Sequence, residues 1–302
     1  MASATAWKQR LKAGLYLGMG ASAHLTGAGA AWRALAEREP VLRVLMYHKV
    51  NPQPDNPPNV PPSLFAAQME HLAARFRPIS VDDYLAARRG ERALPRRAVL
   101  VTFDDGYRDN LEHAAPVLAR LGIPAVIFLP TGFLSSTRPL PHDERRAAAG
   151  VANPTLTWDE ARRLQDFGFE IGSHGESHRI FSSLPPDEAR AEIVRSKAAL
   201  EERLGRPVRC FAYVKGRPDT YSPSVIDAVR DAGYALAFAT HSGPVRPGDP
   251  PYTLRRYNVE PFSIYTFGRF LEGDCDLVAL KDSPLGLAGK RALNRALRIP
   301  ER

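Results

Sequence analysis

Two adjacent carboxylates, Asp104 and Asp105, end the apolar run Val99-Leu100-Val101-Thr102-Phe103 and are followed by Gly106. The run reads as a buried strand that delivers both acids to the rim of a sheet, with the glycine opening a tight turn. Neighbouring strand residues point to opposite faces, so the two acids are suited to different jobs. A second segment, Glu170-Ile171-Gly172-Ser173-His174-Gly175-Glu176-Ser177-His178, ends another apolar run on two histidines four residues apart. One helical turn or a compact loop brings such a pair to one point. Asp105, His174 and His178 then offer two imidazole nitrogens and one carboxylate oxygen, a set that suits zinc with an open coordination position. Water on such a metal is acidified toward neutrality, and Asp104, left free, can take its proton.

Each piece also has a plainer reading. Asp-Asp-Gly after a strand is often only a turn, and a histidine pair at this spacing is often surface decoration. A phosphate-accepting receiver domain sets paired acids at strand ends too, but has no use for the histidines. Both pieces at strand ends of one chain favour the metal site.

The segments Thr102-Phe103-Asp104-Asp105-Gly106 and His174 to His178 resemble the first two motifs of the polysaccharide deacetylases, carbohydrate esterase family 4 (the NodB homology domain). The resemblance implies a distorted (β/α) barrel and metal-dependent removal of acetyl groups from sugar polymers. It implies Asp104 as general base and Asp105, His174 and His178 as ligands of Zn2+ or another divalent metal. Val44-Leu45-Met46-Tyr47-His48-Lys49-Val50 reads as a short buried strand with a polar end. It resembles the entry motif of the branch that includes the poly-β-1,6-N-acetylglucosamine N-deacetylases, in which this N-terminal histidine is the general acid. Other branches place the acid near the C-terminus, but no histidine follows His241 here. His48 is therefore the candidate donor to the leaving amine, with His241 the weaker one.

The third motif departs from the pattern. Cys210-Phe211-Ala212-Tyr213-Val214-Lys215-Gly216 has Val214 where the branch has proline and Lys215 where it has an aromatic residue. In the family this loop gives a backbone N–H to the oxyanion and a wall for the acetyl methyl, which makes Tyr213, Lys215 and Gly216 the substrate and oxyanion candidates. A backbone donor survives a side-chain change, although losing proline frees a φ angle. Lys215 can meet an anionic sugar, the oxyanion or solvent. Gly175 replaces a small hydroxyl residue that would orient the histidine loop. Ala212 stands where other branches carry an arginine that pairs with the base, and Arg256, in Leu254-Arg255-Arg256-Tyr257, can supply that charge instead.

The elements that must position these residues alternate between strand and helix. Asn51 to Pro62 holds six prolines in twelve residues, a stiff loop leaving the first strand. Ser63 is placed to cap a helix with Phe65, Met69, Leu72 and Phe76 on one face. Helical patterns over 110–121, 157–167, 186–204 and 222–232 precede apolar runs at 125–129, 169–171, 208–211 and 235–239. Repeated units of this kind predict a parallel sheet whose C-terminal loops carry the chemistry. Residues 135–154 form a charged insertion without a strand signal, read as a surface loop beside the groove.

The chain has 302 residues, 44% hydrophobic and 25% charged, enough for one barrel-sized domain with tails. The domain is expected over 41–272, after an N-terminal segment 1–40 and before a basic tail 273–302. A net charge of +8 suits an anionic surface or polymer, but no zinc-finger, helix-turn-helix or aromatic-basic stacking pattern speaks for nucleic acid. Lys8, Arg10 and Lys12 precede an uncharged, glycine- and alanine-rich stretch that reads as a signal or anchor, or as an amphipathic helix. The basic tail suits a membrane-surface helix or a frayed solvated end, so peripheral membrane contact through the termini stays open. Cys210 and Cys275 make no disulfide framework. The family favours the cell envelope, and a cytoplasmic location fits the composition equally.

Taken together, the residues and the resemblance lead us to expect a single α/β domain that hydrolyses an acetamide on a sugar polymer or oligosaccharide. An O-deacetylase on the same site and a catalytically weakened glycan-binding relative are the alternatives.

Overall fold

The structure, a computed structural model, describes residues 40–53, 56, 58–274 and 276. The expectations for 1–39, Cys275 and the tail beyond 276 lie outside the described residues. Among the described residues no helix is long and apolar enough to cross a membrane.

Among the described residues, eight strands form one parallel sheet: β1 (Leu42–Tyr47), β2 (Arg77–Pro78), β3 (Ala98–Phe103), β4 (Ala125–Leu129), β5 (Glu170–Ser173), β6 (Cys210–Ala212), β7 (Leu236–Phe238) and β8 (Tyr257–Asn258). The order is β7-β6-β5-β4-β3-β1-β8, with β2 beside the start of β3. The ends of this order meet. Leu254 bonds into β7, with its N–H on Ala237 and its carbonyl on Ala239, before the chain runs into β8 beside β1. The stretch from Pro251 to Asn258 thus closes a distorted (β/α) barrel.

Helices α1 (Pro62–Arg75), α2 (Val81–Arg88), α3 (Ala115–Leu121), α4 (Glu144–Ala148), α5 (Trp158–Asp166), α6 (Pro186–Leu204), α7 (Pro223–Asp231) and α8 (Ile264–Leu271) join or flank the strands. Parallel neighbours need such crossovers, because no hairpin can link them. Ser80 and Thr157 start α2 and α5 with full capping boxes, and Ser222 caps α7. Ser63 does not cap α1, contrary to expectation. The helix begins two residues earlier than such a cap would set it, at Pro62, whose fixed φ and missing N–H suit a first helical position. The expected helix over 110–121 is also split: Asn110–Ala114 forms a wide π-turn ahead of α3. Pro116 has no N–H to give the preceding turn, which accounts for the wider geometry.

The strand period of two divides the core. Leu42, Val44, Leu100, Val126, Phe128, Cys210, Ala212, Leu236 and Phe238 pack together inside the barrel. Their neighbours Leu45, Tyr47, Val99, Val101, Phe103, Ile127, Ile171, Phe211 and Ala237 pack against the helices. The interior is tight. At Gly172 a Cβ would lie 2.4 Å from the Phe128 ring, so a side chain there is excluded.

Candidate active site

Counting in twos along the inward set leads to the chemistry. Leu42 and Val44 lead to Met46 and then His48; Leu100 leads to Thr102 and Asp104; Gly172 leads to His174. Asp104 still donates its N–H to Tyr47, and His174 to Leu129, so both continue their strands' pairing for one step. The C-terminal rim of the barrel therefore collects His48, Asp104 and His174 by geometry alone.

Asp105 has the opposite parity, and a continued strand would aim it at the helices. Instead Asp105 and Gly106 both take left-handed backbone, at φ 74° and 61°. The turn brings its carboxylate to the histidines. Its Oδ1 lies 2.9 Å from His178 Nε2 and 3.4 Å from His174 Nε2. His178 is also left-handed, at φ 55°. For residues with a Cβ such backbone is uncommon, and here it sits on two of three converging side chains. The histidines are joined by a loop, not a helical turn.

The donor set fits a metal cation. One ligand atom each from Asp105, His174 and His178 lies within 4.8 Å of the others, and all three residues are buried. His174 Nδ1 is 2.8 Å from the Ala212 carbonyl, which only accepts, so Nδ1 carries a proton. In the neutral ring Nε2 then turns a lone pair on a carboxylate oxygen, and two such groups face each other comfortably only across a positive charge. Burial pushes the Asp105 carboxyl up, but His178 and His174 outweigh it and hold it well below the usual carboxylate range. Burial pushes His174 down, and Asp105 and Asp104 more than reverse that.

Asp104 meets a different partner. Arg256, fully buried, sets Nη1 at 2.6 Å from Oδ1 and Nη2 at 2.7 Å from Oδ2. The guanidinium is itself fixed by the Ala239 carbonyl at 3.0 Å and by Thr102 Oγ1 at 3.2 Å. Burial raises the Asp104 carboxyl, while Arg256 and then His174 bring it below its ordinary value. His48 is half-buried, and its Nδ1 is buried without a hydrogen-bond partner. Burial lowers its proton affinity more than Asp105 and Asp104 raise it.

The loop after β6 divides the substrate candidates. Tyr213 is buried, its N–H on the Phe238 carbonyl at 3.1 Å and its hydroxyl on Tyr252 at 3.0 Å. Both its backbone donor and its side chain are thus engaged within the protein. Lys215 is exposed and left-handed at φ 62°, followed by Gly216 at φ 55°. Two bonds pin this turn: Thr240 donates its Oγ1–H to Lys215 at 2.7 Å and its N–H to Gly216 at 2.8 Å. Those bonds do locally what a proline's fixed φ would do. His241 lies beside Tyr221, with Nε2 3.0 Å from the hydroxyl.

Two residues of the site escape sequence reasoning. Glu192, from α6, is buried and accepts from the backbone of Glu176 at 3.0 Å and Ser177 at 2.9 Å, holding the loop between the histidines. It supplies the restraint that Gly175 cannot. His142 comes from the insertion, which folds inward at this point, and its Nε2 is 3.4 Å from Asp105 Oδ2. Burial pushes its imidazole down to about 4, outweighing the opposite pull of Asp105. A buried glutamate on an inward helix face was a readable signal for the first; nothing marks the second.

Comparison with known proteins agrees with the geometry. Residues 91–237 match the family model described as polysaccharide deacetylase. The Bacillus subtilis (strain 168) protein named "Putative polysaccharide deacetylase YxkH" is 26% identical over 238 residues, 78% of each chain. The structure of IcaB from Ammonifex degensii superposes with a TM-score of 0.64 at 28% identity, covering 78% of this chain and 97% of that one. The poly-beta-1,6-N-acetyl-D-glucosamine N-deacetylase of Escherichia coli (strain K12) is 39% identical over 51 residues, 17% of this chain and 8% of that protein.

Proposed function

We propose, from the premise that this chain carries a polysaccharide deacetylase domain, that it hydrolyses N-acetyl groups on a sugar polymer or oligosaccharide. The observation that carries the reading is the division of labour between adjacent acids. Asp105 joins two histidines, while Asp104, one residue away, is held by Arg256 and kept out of that cluster. The segment shared with the poly-N-acetylglucosamine N-deacetylase supports an amide as the bond cleaved.

Asp105, His174 and His178 would hold the metal, and zinc suits two nitrogens and one oxygen. When bound, such an ion polarises a carbonyl and acidifies water. Asp104 takes the proton of the attacking water; the Arg256 fork, which favours its ionised form and fixes the plane of its carboxylate, supports that role. The backbone at Lys215 and Gly216, pinned by Thr240, is the donor candidate for charge developing on the acetyl oxygen. His48, across the rim, gives a proton to the leaving nitrogen.

The test is metal content together with acetate release from N-acetylglucosamine oligomers, comparing the wild type with Asp104→Asn. One metal per chain, with acetate release lost in a variant that keeps its metal, is the expected result. Release from O-acetylated glycans only would move the assignment to an ester. Absence of bound metal after loading with zinc would overturn it.

A further inference from the structure

We infer that His142 is a positioning residue for the proposed metal ligand Asp105, holding Oδ2 of that carboxylate so that Oδ1 is the oxygen turned to His174 and His178. This rests on the metal-centre reading above and goes beyond it, because His142 belongs to none of the motifs that define the site.

The argument begins at the far end of a hydrogen-bonded chain. Asp143, almost wholly buried, has Lys49 Nζ at 3.5 Å and Arg146 Nη1 at 3.0 Å on its Oδ1. Lys49 is itself fully buried and also donates to Asn56 at 2.7 Å. A carboxylate facing two cations accepts hydrogen bonds and donates none. The hydroxyl of Tyr107, 2.8 Å from Asp143 Oδ2, must therefore give its single proton to Asp143. Its oxygen is left to accept. The His142 Nε2 lying 2.7 Å from that oxygen must then be the donor.

The chain thus selects the tautomer of His142 with hydrogen on Nε2. The proton on that nitrogen is directed at Tyr107, so the 3.4 Å approach to Asp105 Oδ2 is an electrostatic contact with the positive N–H edge of the ring and not a hydrogen bond. Oδ1 of Asp105 takes both histidine contacts, at 2.9 and 3.4 Å. The two carboxylate oxygens are divided between the insertion and the metal cluster. The His142 ring also packs against His178, with centroids 5.1 Å apart, and edge-on to Tyr107. Outer partners of this kind orient a ligand and are worth about 10–100-fold in metal affinity.

The experiment is zinc affinity of the full chain, by competition with a chromophoric chelator, for wild type, His142→Ala and His142→Gln. Cobalt absorption spectra of the same proteins accompany it. Zinc binding weaker by about tenfold or more in His142→Ala is expected. His142→Gln should recover most of that loss, because its amide Nε2–H stands where the imidazole N–H stood. The cobalt bands should keep their positions in both variants. An affinity within twofold of wild type in His142→Ala overturns the inference, as does a glutamine variant no better than alanine. A cobalt spectrum that loses a ligand in His142→Ala also overturns it, by making His142 a ligand. If the wild type binds no zinc, the metal-centre reading falls as well; if only the His142 effect is missing, this inference alone falls.

Discussion

Arg256 clamps Asp104 with one guanidinium nitrogen on each carboxylate oxygen, at 2.6 and 2.7 Å, although the two residues lie 152 positions apart. The fork leaves the carboxylate no freedom to rotate and balances its charge inside the barrel. Two rings, Phe128 and Phe238, flank the guanidinium at 5.5 and 6.0 Å, so the cation sits between aromatic walls as well.

Arg256→Met should therefore unfold more easily than wild type by about 3–5 kcal/mol, because it strands a buried carboxylate. Urea melts at neutral pH measure this. Arg256→Lys should regain part of the stability but little turnover, since a point charge cannot span both oxygens. Equal turnover in the lysine variant would show that charge alone is enough.

His48→Ala should lower acetate release by about 10²–10⁴-fold. Zinc affinity should stay unchanged, because the imidazole is outside the trio that could hold the ion. A variant retaining full turnover would shift the acid role to another group, with His241 the first to examine.

Glu192→Ala removes the acceptor of two part-buried loop N–H groups. The cost should be about 1–3 kcal/mol in stability. Zinc affinity should drop too, since the freed loop carries His178, whereas Glu192→Gln retains an acceptor and should lie between. Thermal melts and metal titrations on one set of proteins separate the two effects.

Asp109 gives a pH signature. Burial pushes its carboxyl up to about 6, against the hydrogen bond from Asn51. A raised folded value means that its stabilising contribution is complete below the unfolded value of about 3.9 and is lost as pH rises through about 6. Asp109→Asn should therefore match wild type near pH 4, gain on it up to about pH 6, and stay ahead by about 1–3 kcal/mol above that. Denaturant midpoints at several pH values test the sign. A gain at low pH only would contradict it.

Gly216→Ala should disturb the loop after β6. The added carbon would lie 2.9 Å from the Thr240 backbone nitrogen, at a φ of +55°. Both terms oppose a side chain, and a loss of about 1 kcal/mol or more is expected. Turnover should fall while zinc affinity holds. Unchanged kinetics would remove this loop from the oxyanion role.

What can be read in the sequence follows from strand geometry. A period of two is a property of the extended backbone, so Thr102 and Asp104, or Gly172 and His174, share a face wherever the strand lies. Arg256 is readable only through its likeness to a family strand, because no local pattern tells which charge a barrel will enclose. Asp105 is legible as a ligand candidate but its left-handed turn is not; Asp tolerates that backbone without announcing it. His142 is opaque for a different reason. An insertion has no period to count, and its inward course depends on Lys49 and Tyr107 meeting Asp143, contacts made across unrelated parts of the chain. The inward-bonded donors of Tyr213 are not legible either, because a motif position says which strand end a residue occupies and not what its N–H and hydroxyl meet.

The closing stretch from Pro251 to Asn258 has a consequence for biosynthesis. During translation Arg256 is added 152 residues after Asp104, when the trio Asp105, His174 and His178 has long been made. Until it arrives, β1 and β7 present open edges, each able to recruit a strand from another nascent chain. The late segment is thus both the seal of the ring and the carrier of the charge that holds Asp104. A chain released before Leu254 would lack both the seal and the Arg256 charge, so truncation products of this kind should aggregate more readily and release no acetate.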